Sequence, residues 1–136
     1  MIDKNLRILV VDDYESARSM LKIVLTSMGF HQVEEAVNGS TAIKQLETAD
    51  ETGKPFDLVI SDWHMPTLSG FDFLKLCRSN PKLKDLPFIM VSAESETESI
   101  VEALRAGAND FINKPFRKEA LIEKITRAVA HKVKAA

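Results

Sequence analysis

The sequence predicts an α/β fold, a parallel β-sheet with helices on both faces. Three observations carry this. Strand-like apolar runs alternate with segments of helical spacing, five times over. Runs such as Leu58 to Asp62 are apolar in succession, as strands covered on both sides are. Charged and polar residues then stand where the runs end. Asp12 and Asp13 follow Arg7-Ile8-Leu9-Val10-Val11, Asp62 closes Asp57-Leu58-Val59-Ile60-Ser61, Ser92 follows Phe88-Ile89-Met90-Val91, and Lys114 follows Phe111-Ile112-Asn113. In neighbouring parallel strands all these ends meet at one edge of one sheet.

After the first strand, Ala17, Leu21, Val24, Leu25 and Met28 recur at helical spacing and Gly29 stops the helix. Val33 to Ala36 forms a short strand. Asn38-Gly39 makes a turn, and Ser40 is expected to cap a helix carrying Ala42, Ile43 and Leu46. Thr48 to Pro55 is polar, contains Gly53, and reads as a surface loop. The third strand ends at Asp62. Gly70 opens a helix with Phe71, Phe73, Leu74 and Cys77 inward, and Pro81 and Pro87 bracket a loop before the fourth strand. Ser95-Glu96-Thr97-Glu98 has the pattern of a capping box. Ile100, Val101 and Leu104 follow on one helical face, which Gly107 ends. The short strand around Phe111 precedes a last helix with Leu121, Ile122, Ile125, Ala128 and Val129. Lys132 and Lys134 complement its C-terminal dipole.

At 136 residues and 45% hydrophobic, the chain can bury a core without disulfides or structural metals, and one domain over 1–136 is expected. The formal net charge of −2, with interspersed acids and bases, indicates neither a nucleic-acid footprint nor a membrane-surface patch. A single cysteine, Cys77, excludes an internal disulfide and a zinc cluster of several thiolates. No segment approaches the roughly 18 apolar residues of a membrane span. The N-terminus lacks the apolar stretch of a signal peptide, so a cytoplasmic setting is expected.

The strand ends carry the chemistry. Carboxylates gathered in a small pocket repel one another by about 4 kcal/mol per pair at 4 Å and an effective dielectric near 20. A divalent cation relieves this, and a lysine adds a second positive point for an anion. Such a pocket suits a metal and a phosphoryl group. Taken singly, the acids could instead serve the following helix N-terminus, Ser92 could be a cap, and Lys114 a solvated charge.

The acid pair Asp12-Asp13, the run Ser61-Asp62-Trp63-His64-Met65-Pro66 with Gly70, and Val91-Ser92-Ala93-Glu94 stand in order. Ala106-Gly107-Ala108 and Lys114-Pro115-Phe116 follow. With these motifs the chain, from about Leu6 to Ala130, resembles the receiver domains of two-component response regulators, and among them the stand-alone chemotaxis regulators. The resemblance implies a flavodoxin-like (βα)5 doubly wound sheet of order 2-1-3-4-5. It also implies that Asp62 is the phosphoacceptor. Mg2+ would be held by Asp13, Asp62 and the His64 backbone carbonyl, with Asp12 acting through water. Lys114, Ser92 and the Ala93 backbone would bind the phosphoryl group, and Lys114-Pro115 would be a cis peptide. Ser92 and Phe111 would form the switch, Phe111 turning inward from solvent; an apolar Phe111 that is inward throughout is the alternative. His64 and Glu94 would flank the path of the hydrolytic water.

The implied partners are a sensor histidine kinase, CheA-like or hybrid, and a protein target on the face of the fourth helix, fifth strand and fifth helix. No nucleic acid or membrane partner is expected, and a monomer is. The implied activity is self-catalysed phosphorylation and slow dephosphorylation, without multiple turnover. A flavodoxin would meet two repelling acids where its flavin phosphate belongs. A phosphatase of the haloacid dehalogenase type wants an aspartate where His64 stands. A scaffold receiver without phosphorylation typically lacks an acid or the lysine, and all are present. Phe111 replaces the tyrosine usual in chemotaxis proteins, and Arg117 a frequent threonine. These departures leave a phosphorelay intermediate or a receiver with another output as alternatives.

Overall fold

In the structure, a computed structural model describing residues 3–93 and 97–130, five strands and five helices alternate. They are β1 (Arg7–Val11), α1 (Glu15–Ser27), β2 (Gln32–Ala36), α2 (Gly39–Glu51), β3 (Leu58–Asp62), α3 (Gly70–Ser79), β4 (Phe88–Ser92), α4 (Thr97–Arg105), β5 (Asp110–Asn113) and α5 (Lys118–Ala128). The strands form one parallel sheet in the order β2-β1-β3-β4-β5. This is the flavodoxin-like arrangement that the resemblance implied.

Strand residues alternate between two apolar layers. Leu9, Val11, Val59, Phe88, Met90 and Phe111 pack with Ala42 and Leu46 of α2, Phe73, Leu74 and Cys77 of α3, and Ala103 of α4. Ile8, Val10, Ile60, Ile89, Val91 and Ile112 pack with Leu21 and Leu25 of α1 and with Leu121 and Ile125 of α5. Helices thus cover both faces, which is why the strands are apolar in succession. Burial pushes the Cys77 thiol up to about 12, so it is a core residue and a poor nucleophile.

Two local expectations are corrected. Asn38, not Ser40, caps α2, accepting from the Thr41 N–H at 2.8 Å, and Ser40 lies exposed inside the helix. The Asn38-Gly39 pair looks like a turn, yet Gly39 is the first helical residue. A Cβ there would sit 2.6 Å from the Leu68 side chain, so glycine allows that close approach. The loop expected over Thr48 to Pro55 begins later, because α2 continues to Glu51 and buries Ala49. Gly53, at φ +80°, follows the helix end. The Ser95–Glu98 capping box and Lys132 and Lys134 fall wholly or partly outside the described residues. Ser69 caps α3, accepting from the Asp72 N–H at 3.1 Å.

The edge strand β5 is tied to α5 by charge. Asp110 accepts from Lys124 Nζ at 3.1 Å and from an Arg127 guanidinium nitrogen at 2.7 Å. Burial works to raise its carboxyl, but the Phe111 N–H and these two cations outweigh that and hold it below the ordinary range. A depressed carboxylate stabilises the fold above its unfolded pKa, and the contribution fades as acid protonates it. Asp110→Asn therefore lowers stability at pH 7 by up to about 1 kcal/mol, as partly exposed ion pairs do. The gap between parent and variant in urea titrations closes below about pH 4, where aspartate protonates.

Candidate functional site

The sheet register brings the strand ends together. Val11 pairs with both Ala36 and Ser61, Asp62 with Val91, and Ser92 with Asn113. The ladder runs on into the loops. The Asp12 N–H donates to Ala36 O at 3.2 Å, Trp63 N–H to Val91 O at 3.1 Å, and Lys114 N–H to Ser92 O at 2.8 Å. The residues just past β1, β3 and β5 are thereby fixed at one edge.

There, one carboxylate oxygen from each of Asp12, Asp13 and Asp62 lies within 4.8 Å of the others. Lys114 Nζ stands 3.2 Å from Asp12 Oδ2 and 3.3 Å from Asp62 Oδ1. A cavity of about 460 Å³ opens over this group, lined by Asp13, Asp62, His64 and Lys114 together with Tyr14, Met65, Pro66, Ser69 and Ala93. Burial raises the Asp62 carboxyl above its ordinary range; Lys114 pulls it back, and the Asp12 charge adds to the rise. For Lys114, burial alone would lower the ammonium, but Asp62 and Asp12 outweigh it and the net direction is up. One lysine among three carboxylates leaves an excess of negative charge that holds the Lys114 proton, while burial is the larger cause of the rise at Asp62.

The residues present fit a hard divalent cation. Asp13 Oδ1 is buried and has no hydrogen-bond partner, an orphan that burial makes costly. Oxygen donors in this number are the ligand set of magnesium, which takes one or two carboxylates and keeps several waters. Asp12 is differently placed. Its Oδ1 accepts the Tyr14 N–H at 3.0 Å, its Oδ2 faces Lys114, and its carbonyl accepts from Arg18 at 2.8 Å.

Among the other expected residues, Ala93 lines the cavity and His64 is exposed at its rim. Ser92, at the end of β4, is fully buried and does not line the cavity. Lys114-Pro115 is cis. Phe111 takes the inward of its two expected positions, being 5% exposed with its ring edge-on to Trp63 at 6.3 Å. The apolar wall of Trp63 and α3 accounts for this, since phenylalanine lacks the hydroxyl that would reward exposure. Glu94 lies outside the described residues. The sequence reading missed Tyr14 and Arg18. Tyr14 borders the acid pair in the chain; Arg18 acts on Asp12 only through a helical turn that spacing alone does not single out.

The loop from β3 to α3 is tightly set. The Gly70 N–H donates to Trp63 O at 2.7 Å. Thr67 adopts φ 73°, a left-handed conformation that β-branched residues seldom take.

The chain matches the response regulator receiver domain model over residues 8–126 and belongs to that family. It is 41% identical to the chemotaxis protein CheY-3 of Vibrio cholerae over 127 residues, spanning 93% of this chain and 94% of that one. Its fold superposes on V. cholerae CheY4, crystallised at low pH, with TM-score 0.80 at 33% identity, covering 91% of this chain and 98% of that chain. It also superposes on a chain of the CheX–CheY–BeF3–Mg2+ complex from Borrelia burgdorferi, with TM-score 0.80, 26% identity, and coverage of 89% and 87%.

A Cβ on Gly70 would lie 2.0 Å from the Asp62 carbonyl oxygen, a backbone atom that cannot swing aside. Gly70→Ala is expected to cost about 2–3 kcal/mol, at the upper end for overpacking, with a corresponding drop in urea midpoint.

Proposed function

We propose that the chain is a phosphoacceptor response regulator, taking a phosphoryl group from a kinase phosphohistidine onto Asp62 and signalling in chemotaxis. The observation that carries this is the convergence of three carboxylates and Lys114 on one cavity, with a buried Asp13 oxygen unpartnered. A carboxylate oxygen of Asp62 attacks phosphorus, the P–N bond to the histidine breaks, and the departing imidazole keeps the electron pair. The transition state spreads charge over three equatorial oxygens, so positioning and cations do most of the work.

Asp13, Asp62 and the His64 carbonyl would hold Mg2+ directly and Asp12 through water; the Asp12 carboxylate already has other partners. When bound, Mg2+ supplies positive charge to the transferred oxygens. The neighbour from a complex with BeF3 and Mg2+ supports this assignment. Lys114 pairs with one phosphoryl oxygen, and the Ala93 backbone N–H and Ser92 hydroxyl with others. Ser92 must shift from its buried position to do so. Phe111 already occupies the inward position, so the switch would act on how firmly it is held there. Val101 and Leu104 are partly exposed apolar residues on α4, on the α4-β5-α5 face offered to a downstream protein. The upstream partner would be a CheA-like or hybrid histidine kinase. A phosphorelay intermediate is the second reading, favoured by the missing hydroxyl at Phe111. In either case each chain makes one acyl phosphate and hydrolyses it slowly, without multiple turnover. Among the described residues no helix is long and apolar enough to cross a membrane.

Acetyl phosphate with Mg2+ should add one phosphate by intact mass, and Asp62→Asn should take up none; a variant that still labels would overturn the assignment. The signal's persistence is the second expectation. His64 is among the residues lining the cavity, and its ring would crowd water approaching opposite Asp62. His64→Asn should dephosphorylate several-fold faster in a single turnover at saturating Mg2+, and an equal or slower rate would exclude shielding.

A further inference from the structure

We propose that Arg18 is a positioning residue for the divalent-cation site, aiming the Asp13 carboxylate through the backbone of the Asp12–Asp13 pair. The inference rests on the reading of Asp13 as a Mg2+ ligand. Every polar atom of Asp12 has a partner: Ala36 O for its N–H, the Tyr14 N–H and Lys114 for its carboxylate, and Arg18 for its carbonyl at 2.8 Å. The Asp12 carbonyl and the Asp13 amide share one rigid peptide plane. Holding that oxygen therefore fixes the orientation from which the Asp13 side chain leaves. Asp13 Oδ1, at the end of this chain of constraints, is the carboxylate atom left buried without a partner among the described residues.

Arg18 is itself held. Its Nε donates to Glu35 Oε1 of β2 at 3.1 Å, and its side chain is 12% exposed. Glu35 also pairs with Lys22 of α1 at 3.7 Å, and its carbonyl accepts from Gln45 of α2 at 3.2 Å. One guanidinium thus spans from a carboxylate on β2 to a carbonyl at the end of β1, two acceptors in a fork that an ammonium does not match.

Three roles for Arg18 give different signs. As a cation beside an acidic pocket it would weaken Mg2+ binding, and its removal would tighten it. As a structural tie alone, its removal would lower the melting temperature and leave the affinity unchanged. As a positioning residue, its removal weakens the affinity, because Asp13 no longer points one way.

The test is Mg2+ titration by calorimetry on the parent, Arg18→Met and Asp13→Ala at one ionic strength. Methionine keeps the packed alkyl stem and removes every donor. The dissociation constant should rise about tenfold in Arg18→Met, the lower end for loss of a group orienting a metal ligand. An unchanged or smaller constant overturns the proposal. If Asp13→Ala binds like the parent, the metal reading fails and this inference with it; if Asp13→Ala loses binding while Arg18→Met keeps it, this inference alone fails. Should Arg18→Met not fold, Arg18→Lys takes its place, with charge retained and the fork lost. Weaker binding supports the proposal and equal or tighter binding overturns it.

Discussion

The structure depends on holding three carboxylates together at one edge of a sheet. Asp12, Asp13 and Asp62 present oxygens within 4.8 Å of one another, and one ammonium offsets them in part. Such a cluster repels itself strongly at the dielectric of a protein surface. Side-chain contacts alone would not hold it, since each acid could swing toward water. The backbone holds it instead. Parallel strands in register deliver the acids to adjacent ends, and inter-strand hydrogen bonds continue past the strands into the loops that carry them.

The rest of the molecule serves that placement. Two apolar layers clamp the sheet, so the strand ends share one rigid frame. The loop after Asp62 folds back so closely that Gly70 touches the Asp62 carbonyl. Thr67 is held in a left-handed conformation in the same loop, a kind of local strain that persists where surrounding contacts over-determine the backbone. Electrostatic crowding in the pocket and conformational tightness beside it belong to one design, in which a partly buried acid is kept close to a lysine.

Much of this was legible in the sequence. Alternating strand and helix patterns gave the layers, and the acids and lysine at strand ends gave the pocket, because each lies where its own strand stops. Strand order was not legible from pattern, since any parallel α/β sheet shows the same alternation; it came from the resemblance. The misplaced cap of α2 came from two nearby residues, Asn38 and Ser40, that both make good caps; the helix starts at Gly39, so Asn38 takes the role. For Phe111 both a ring turning inward from solvent and one inward throughout were open, because its aromatic neighbour Trp63 is remote in the chain. Arg18 was invisible for the same reason: one of its acceptors lies on β2, and the other is a carbonyl, which has no letter in the sequence.

Cys77 has a practical consequence. It is the chain's single cysteine, fully buried, with burial pushing its thiol up to about 12. At neutral pH almost none of it is thiolate, the form that reacts with maleimides and iodoacetamides. The native protein is therefore a silent background for site-directed labelling. A spin label or dye attached to a new surface cysteine would report from that place alone, with no need to disturb the core by removing Cys77.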